Sequence, residues 1–178
     1  MKKLKSRFEL AQYFAELGFT KGAEIGVCYG YYSETLLNNI PGLELLCIDS
    51  WIIPRWPSAK EGAVRRLSPY PGATIIQKDS AEAAVDVLDE SLDFVFIDAE
   101  HSYESVKRDI AVWAPKVRKG GIVSGHDYYV TRSGNTGVVD AVDEYVRENG
   151  YEIYLTEWNK SNNHHKDERQ PSWYFLKK

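Results

Sequence analysis

The chain has 178 residues, 43% of them hydrophobic, which is enough to bury a sizeable core and fits one domain spanning 1–178. Lysine and arginine number 22 against 26 aspartates and glutamates, and no basic stripe suited to a phosphate backbone accompanies this net charge of -4, so a nucleic-acid partner is not expected. The basic start is not followed by an uninterrupted apolar run, and no run approaches membrane-spanning length, so the sequence predicts a cytoplasmic protein without a membrane partner.

The N-terminal segment, 1–20, contains the first predicted element, an amphipathic helix over residues 7–18. It places Leu10 and Phe14 at helical spacing and ends at Gly18. We expect this helix to pack on the edge of the first strand or to lid a site there.

A strand, a glycine loop and a helix follow. Residues 22–27 form a short apolar run that contains Gly26, Gly30 comes four residues later, and an amphipathic segment over 32–39 continues the chain. Glycines allow the backbone to lie against a ligand, and the helix start offers free N–H groups to an anion, so this stretch predicts a small-molecule site. Its spacing, acidic-x-G-x-x-x-G beginning at Glu24, departs from the G-x-G-x-x-G of dinucleotide-binding proteins.

Four further strands are predicted, each ending in polar or ionisable residues. The strands are 43–48, 73–78, 92–97 and 122–125, and the predicted helices are 58–67, 81–88, 102–117 and 137–149. The residues at the strand ends are Asp49, Asp79 with Ser80, Asp98, and His126 with Asp127. Because ligands of open α/β sheets bind at the carboxyl ends of the strands, these side chains are candidate site residues. For the aspartates, helix or turn capping is the competing interpretation.

Two loops and a hairpin complete the pattern. Residues 51–58 form an apolar loop, which is typical either of substrate or partner contact or of packing over the sheet. Residues 151–158 and 172–176 alternate apolar and polar side chains, as an antiparallel hairpin does. The polar stretch between them contains His164 and His165, and we interpret it as a solvated loop rather than a metal site.

Two longer motifs give the chain a resemblance to a known family. They are FIDAEHSY over 96–103 and KGGIVSGHDY over 119–128. With the glycine loop and the acid after the second strand, these motifs resemble the class I S-adenosylmethionine-dependent methyltransferases, in particular the small bacterial branch similar to the methyltransferase 24 and sugar O-methyltransferase-like proteins. The resemblance implies a three-layer αβα Rossmann-like sandwich around a seven-stranded, mostly parallel sheet of order 3-2-1-4-5-7-6, whose last strand is antiparallel.

The resemblance also implies S-adenosylmethionine as cofactor and the residues that hold it. They are Glu24, Gly26 and Gly30 for the methionine end, Asp49 with Ser50 beside it for the ribose hydroxyls, Asp79, Ser80 and the amide of Ala81 for the adenine edge, Trp51 for the adenine face, and Asp98 after the fourth strand.

Two catalytic routes follow from the resemblance, and both need Asp98. In one, Mg²⁺ is held by Asp98 and Asp127, with His126 as a further ligand, although Mg²⁺ prefers an all-oxygen shell. In the other, His101 or His126 acts directly as general base on a hydroxyl acceptor. The sequence leaves both routes open.

The expected activity is methyl transfer to a small molecule, with oxygen as the acceptor atom and a sugar or aromatic hydroxyl as the acceptor. Two other hypotheses are a nicotinamide-dependent oxidoreductase, which the glycine spacing disfavours, and a catalytically silent binding module that keeps the fold. The sequence fits either a monomer or a homodimer.

Overall fold

The computed structural model describes residues 2–52, 57–158 and 169–178. Its helices are α1 (Arg7–Glu16), α2 (Tyr31–Asn39), α3 (Ala59–Leu67), α4 (Ser80–Val85), α5 (Tyr103–Trp113) and α6 (Gly137–Asn149). Its strands are β1 (Lys21–Ile25), β2 (Glu44–Asp49), β3 (Ala73–Gln77), β4 (Leu92–Ile97), β5 (Val117–Gly125), β6 (Tyr154–Leu155) and β7 (Trp173–Leu176). Among the described residues, no helix combines the length and the apolar character that crossing a bilayer requires.

The seven strands form one sheet of order β3-β2-β1-β4-β5-β7-β6, which confirms the predicted topology. The first five strands pair in parallel, and β7 runs antiparallel to both β5 and β6. All five parallel strands therefore present their carboxyl ends at one edge of the sheet.

Helices cover both faces of the sheet because each strand carries apolar side chains on both sides. Helices α1, α2 and α3 contribute to one buried cluster, and α4, α5 and α6 to the other. On the first face, Phe14 stacks on Phe94 with ring centroids 4.4 Å apart. On the second, Ile110, Trp113 and Val142 are fully buried. Helix α1 thus packs over the middle of the sheet, with its first turn near the carboxyl edge.

Several boundaries differ from the predicted ones. The helix predicted to reach residue 117 ends at Trp113 and continues as a short 3-10 turn, Ala114–Lys116, because Pro115 cannot continue the helical hydrogen bonds. Strand β5 starts at Val117, before the predicted residue 122, and its pairing with β4 is irregular over the residues between. Here Gly120 takes a positive φ of 76°.

The hairpin is also shorter than predicted on its first strand. Of the described residues 151–158, over which strand was predicted, Tyr154 and Leu155 pair with β7 and the others do not. Residues 53–56 of the apolar loop and residues 159–168 of the polar loop, including His164 and His165, lie outside the described residues.

Candidate functional site

A cleft of about 760 Å³ opens at the carboxyl edge of the parallel strands, a volume within the usual range of small-molecule sites. Most of the residues proposed from the sequence line it. They are Glu24, Gly26, Asp49, Ser50, Trp51, Asp79, Ser80, Asp98, His101, His126 and Asp127. Gly30 and Ala81 do not line it: Gly30 caps α2, and the Ala81 N–H donates to Asp79 Oδ1 at 2.9 Å.

The glycine at position 26 is required by the crossing of two chain segments. Gly26 has a φ of 92°, and a Cβ there would lie 2.1 Å from the carbonyl oxygen of Asp98. No side chain fits at that distance. The loop after β1 can therefore pass directly beside the end of β4, which brings Glu24 and Asp98 into one cleft.

Glu24 is a buried acid at the floor of the cleft, with 2% of its surface exposed. Its carboxyl accepts a hydrogen bond from the Ser33 hydroxyl at the start of α2. Burial raises the pKa of Glu24 to about 8, the Ser33 hydrogen bond opposes this rise, and the charge of Asp98 adds to it. Glu24 therefore carries a proton at neutral pH.

This raised pKa predicts a pH-dependent stability. Below about pH 4.5 Glu24 is protonated in both folded and unfolded chains; between there and pH 8 only the folded chain keeps the proton, so the free energy of unfolding falls as the pH rises. The fall amounts to about 5 kcal/mol at most, at about 1.4 kcal/mol per pKa unit. We expect Glu24→Gln to remove most of this slope in denaturant unfolding measured from pH 5 to 8. Equal slopes in the two proteins would contradict the prediction.

Asp49 at the end of β2 fixes the glycine loop from the side. Its Oδ2 accepts the Cys28 N–H at 2.8 Å and its Oδ1 accepts the Trp51 N–H at 2.7 Å, while the Trp51 indole N–H donates to the Cys28 carbonyl at 2.9 Å. Both Cys28 and Trp51 hold positive φ values, 49° and 48°. A carboxylate accepts about four hydrogen bonds, so Asp49 keeps acceptor capacity for a ligand.

Two polar residues, Asp79 and Ser80, follow β3, and side chains of α5 donate hydrogen bonds to both. Asp79 caps α4 and accepts from Arg108 Nη2 at 3.2 Å. Ser80 accepts the indole N–H of Trp113 at 2.9 Å. Asp109 is 2% exposed beside them, and its burial raises the pKa of its carboxyl. Capping, the competing interpretation for Asp79, is thus observed together with its position in the cleft.

Three ionisable residues meet at the ends of β4 and β5, and we refer to Asp98, His101 and Asp127 as the Asp–His–Asp cluster. His101 Nε2 lies 3.3 Å from Asp98 Oδ1, and His101 Nδ1 lies 3.4 Å from Asp127 Oδ2. One ligand atom from each residue falls within 4.8 Å of the others, so the cluster could hold a metal ion. His126, proposed from the sequence as a metal ligand, is not part of this group.

Charges in and around the cluster lower the pKa of Asp98 and raise the pKa of His101. Burial alone would raise the pKa of Asp98, but the neighbouring His126, His101 and Arg7 outweigh it and lower the pKa to about 2. The hydrogen bond to Asp98 raises the pKa of His101, with burial opposing and Asp127 adding to the rise. Asp98 is therefore a permanent anion at neutral pH.

His126 lies beneath the cluster and is 4% exposed. Its Nδ1 is 3.2 Å from Asp127 Oδ1 and 3.8 Å from Asp98 Oδ2, and its Nε2 has no hydrogen-bond partner among the described residues. Of the two candidate bases, His101 is the accessible one, with 44% of its side chain exposed. His126 thus lies against both aspartates from the interior side.

Sequence reasoning missed two arginines that line the cleft. Arg7 reaches Asp98 from the start of α1, with Nη1 3.3 Å from Oδ2, and Arg108 reaches Asp79 from α5. The placement of Arg7 on a helix expected to pack on or lid the site was the available signal. A single arginine in a basic N-terminal segment does not stand out further.

The chain is similar to known proteins in its sequence family and in its fold. A family model described as a methyltransferase domain matches residues 23–128. Among curated proteins, the uncharacterized protein y4gI of Sinorhizobium fredii is 35% identical over 60 residues, which cover 34% of this chain and only 7% of that protein.

Solved structures share the fold at low sequence identity. A Staphylococcus aureus protein assigned as a caffeoyl-CoA O-methyltransferase has a TM-score of 0.70 at 16% identity, over 96% of this chain and 82% of that one. A Klebsiella pneumoniae protein assigned as an O-methyltransferase has a TM-score of 0.72 at 13% identity, over 97% and 80%. A Clostridium thermocellum protein assigned as an rRNA methylase has a TM-score of 0.68 at 13% identity, over all of both chains.

Proposed function

The chain belongs to the methyltransferase domain family, and on that premise we propose that it transfers a methyl group from S-adenosylmethionine to a hydroxyl of a small molecule. We infer that residues 1–178 act as one domain. The observation that carries the proposal is that one cleft brings together the acids at the ends of β1, β2, β3 and β4 and the Asp–His–Asp cluster.

The cofactor residues proposed from the sequence fit an elongated ligand lying along the strand ends. Gly26 lets the loop after β1 lie against the backbone of Asp98, and both residues line the end of the cleft that we assign to the methionine end of the cofactor. Asp49, held by two backbone N–H groups, is a preorganised acceptor for the ribose hydroxyls. Asp79 and Ser80 lie further along the cleft, where the adenine would fall.

The Asp–His–Asp cluster fits the role of a proton acceptor next to the reacting methyl group. When bound, S-adenosylmethionine supplies an electrophilic methyl group, so the protein has to position a nucleophilic oxygen and remove its proton. We propose that His101 keeps its Nε2 contact with Asp98 while Nδ1 takes that proton. Asp127, 3.4 Å from Nδ1, then stabilises the charged imidazole.

A divalent ion is the second candidate route, favoured by the three ligand atoms of Asp98, His101 and Asp127 within 4.8 Å. Such an ion would lower the pKa of an acceptor hydroxyl and make a base less necessary. The imidazole in the set suits Zn²⁺, whereas the two carboxylates suit Mg²⁺ or Mn²⁺. Activity after chelation with EDTA, and after adding back Mg²⁺ or Mn²⁺, separates this route from the first.

The acceptor side of the cleft favours a ring-shaped small molecule over RNA. Tyr129 lines the cleft and meets Trp158 edge-on, with ring centroids 5.3 Å apart. Aromatic side chains of this kind pack well against sugars and aromatic rings. The net charge of -4 gives no attraction for a nucleic-acid backbone. We therefore expect no methylation of rRNA in a direct assay.

The test of the cofactor is calorimetric binding of S-adenosylhomocysteine. We expect micromolar binding by the wild type and a 10- to 100-fold weaker affinity for Asp49→Ala, the usual effect of losing hydrogen bonds to a charged group. Asp89→Ala, whose side chain is 69% exposed, is the matched control and should bind like the wild type. Absence of binding by the wild type would overturn the proposal and favour a binding module of another specificity.

A further inference from the structure

Arg7 is held at the wall of the cleft by contacts from both its backbone and its side chain. Its carbonyl accepts the Tyr32 hydroxyl at 3.0 Å, and its guanidinium lies 5.1 Å from the centre of the Tyr32 ring. Nη1 is 3.3 Å from Asp98 Oδ2, and only 10% of the side chain is exposed. The long side chain is therefore already ordered before any ligand binds.

The guanidinium has unused hydrogen-bonding capacity. Its Nε is buried and has no hydrogen-bond partner within the described part of the chain. Buried donors are nearly always satisfied, so the unpaired Nε shows that the protein's own acceptors do not saturate the guanidinium of this cleft-lining side chain. The planar fork of an arginine matches a carboxylate, which can accept from two of its N–H groups at once.

We propose that Arg7 binds the carboxylate of the cofactor's methionine moiety, an inference that rests on the proposed function. The lysine and arginine residues among the described residues that line the cleft are Arg7, Lys78 and Arg108, and of these Arg7 lies at the end that contains Glu24 and Asp98. Lys78 and Arg108 also line the cleft, but they pair with Asp86 and Asp79 at the end of β3. The Glu24 carboxyl lines the same cleft and can accept from the cofactor's ammonium, so this end of the cleft can take both polar groups of an amino acid.

The closing experiment compares two ligands that differ only in this carboxylate. S-adenosylhomocysteine and its decarboxylated analogue are titrated by calorimetry into the wild type, Arg7→Gln, Arg7→Lys and Arg108→Gln. We expect Arg7→Gln to weaken S-adenosylhomocysteine about 10- to 100-fold, as loss of a charge-assisted pair does, and to change the analogue less than about threefold. Arg7→Lys, which keeps the charge without the fork, should fall between the wild type and Arg7→Gln.

The ratio of the two affinities separates a ligand contact from a structural role. Arg108→Gln, at the other end of the cleft, should leave the ratio as in the wild type. If Arg7→Gln weakens both ligands equally, or neither, Arg7 does not read the carboxylate and the inference is overturned. If the wild type binds neither ligand, the proposed function fails, and the inference about Arg7 fails with it. Thermal unfolding of each variant identifies any loss of folding.

Discussion

Asp98→Asn is expected to lower methyl transfer by about 10³-fold or more while leaving S-adenosylhomocysteine binding within about tenfold of the wild type. The carboxylate lies at the centre of the site, 3.3 Å from both Arg7 and His101 and 3.8 Å from His126. Asparagine keeps its shape but removes the charge that orients and stabilises a protonated imidazole. Loss of a base-orienting carboxylate has effects of this size in other enzymes.

The measurement is release of S-adenosylhomocysteine with an acceptor drawn from a panel of catechols and sugars. The loss of activity is expected on either catalytic route, because both need Asp98. Asp86→Asn, whose side chain is 65% exposed and pairs with Lys78, is the matched control. A variant at position 98 that binds the cofactor product and turns over at the wild-type rate would refute the role of this residue.

The strands and helices could be predicted from the sequence because their signals are local, whereas the order of the strands in the sheet came from the family resemblance. Each buried strand is a nearly continuous apolar run, and the residue that follows it is polar, as at Asp49 and Asp98. Once the strands are parallel, their ends meet at one edge whatever their order along the sheet. The candidate residues at those ends therefore came together without any knowledge of side-chain geometry.

The rest of the site depends on contacts between distant parts of the chain. Arg7 and Asp98 are 91 positions apart, and nothing in the local pattern around Arg7 indicates that they meet. The positive φ of Asp127, 56°, turns its carboxylate into the contact with His101. Neither feature follows from hydrophobic periodicity or from turn chemistry. The choice between His101 and His126 likewise needed their burial, which the sequence does not give.

His101→Gln separates the two catalytic routes, because one imidazole cannot serve both as a metal ligand and as the base. On the proposed base route we expect a 10²- to 10⁴-fold loss in kcat, the usual contribution of a general base. The wild-type rate should rise with pH through a pKa above the 6.5 of an ordinary histidine, since the contact with Asp98 raises the pKa of His101. This limb should be absent in His101→Gln.

Asp127→Asn tests in which direction the pKa of His101 is shifted. The Asp127 carboxylate adds to the raised pKa of His101, so its removal should move the rising limb to lower pH, while the wild-type rate stays unchanged in EDTA. If EDTA instead abolishes activity, and Mn²⁺ binding followed by electron paramagnetic resonance is lost in His101→Gln, the imidazole is a metal ligand. The cluster would then act by lowering the pKa of the acceptor hydroxyl, and the proton would leave to solvent or to another group.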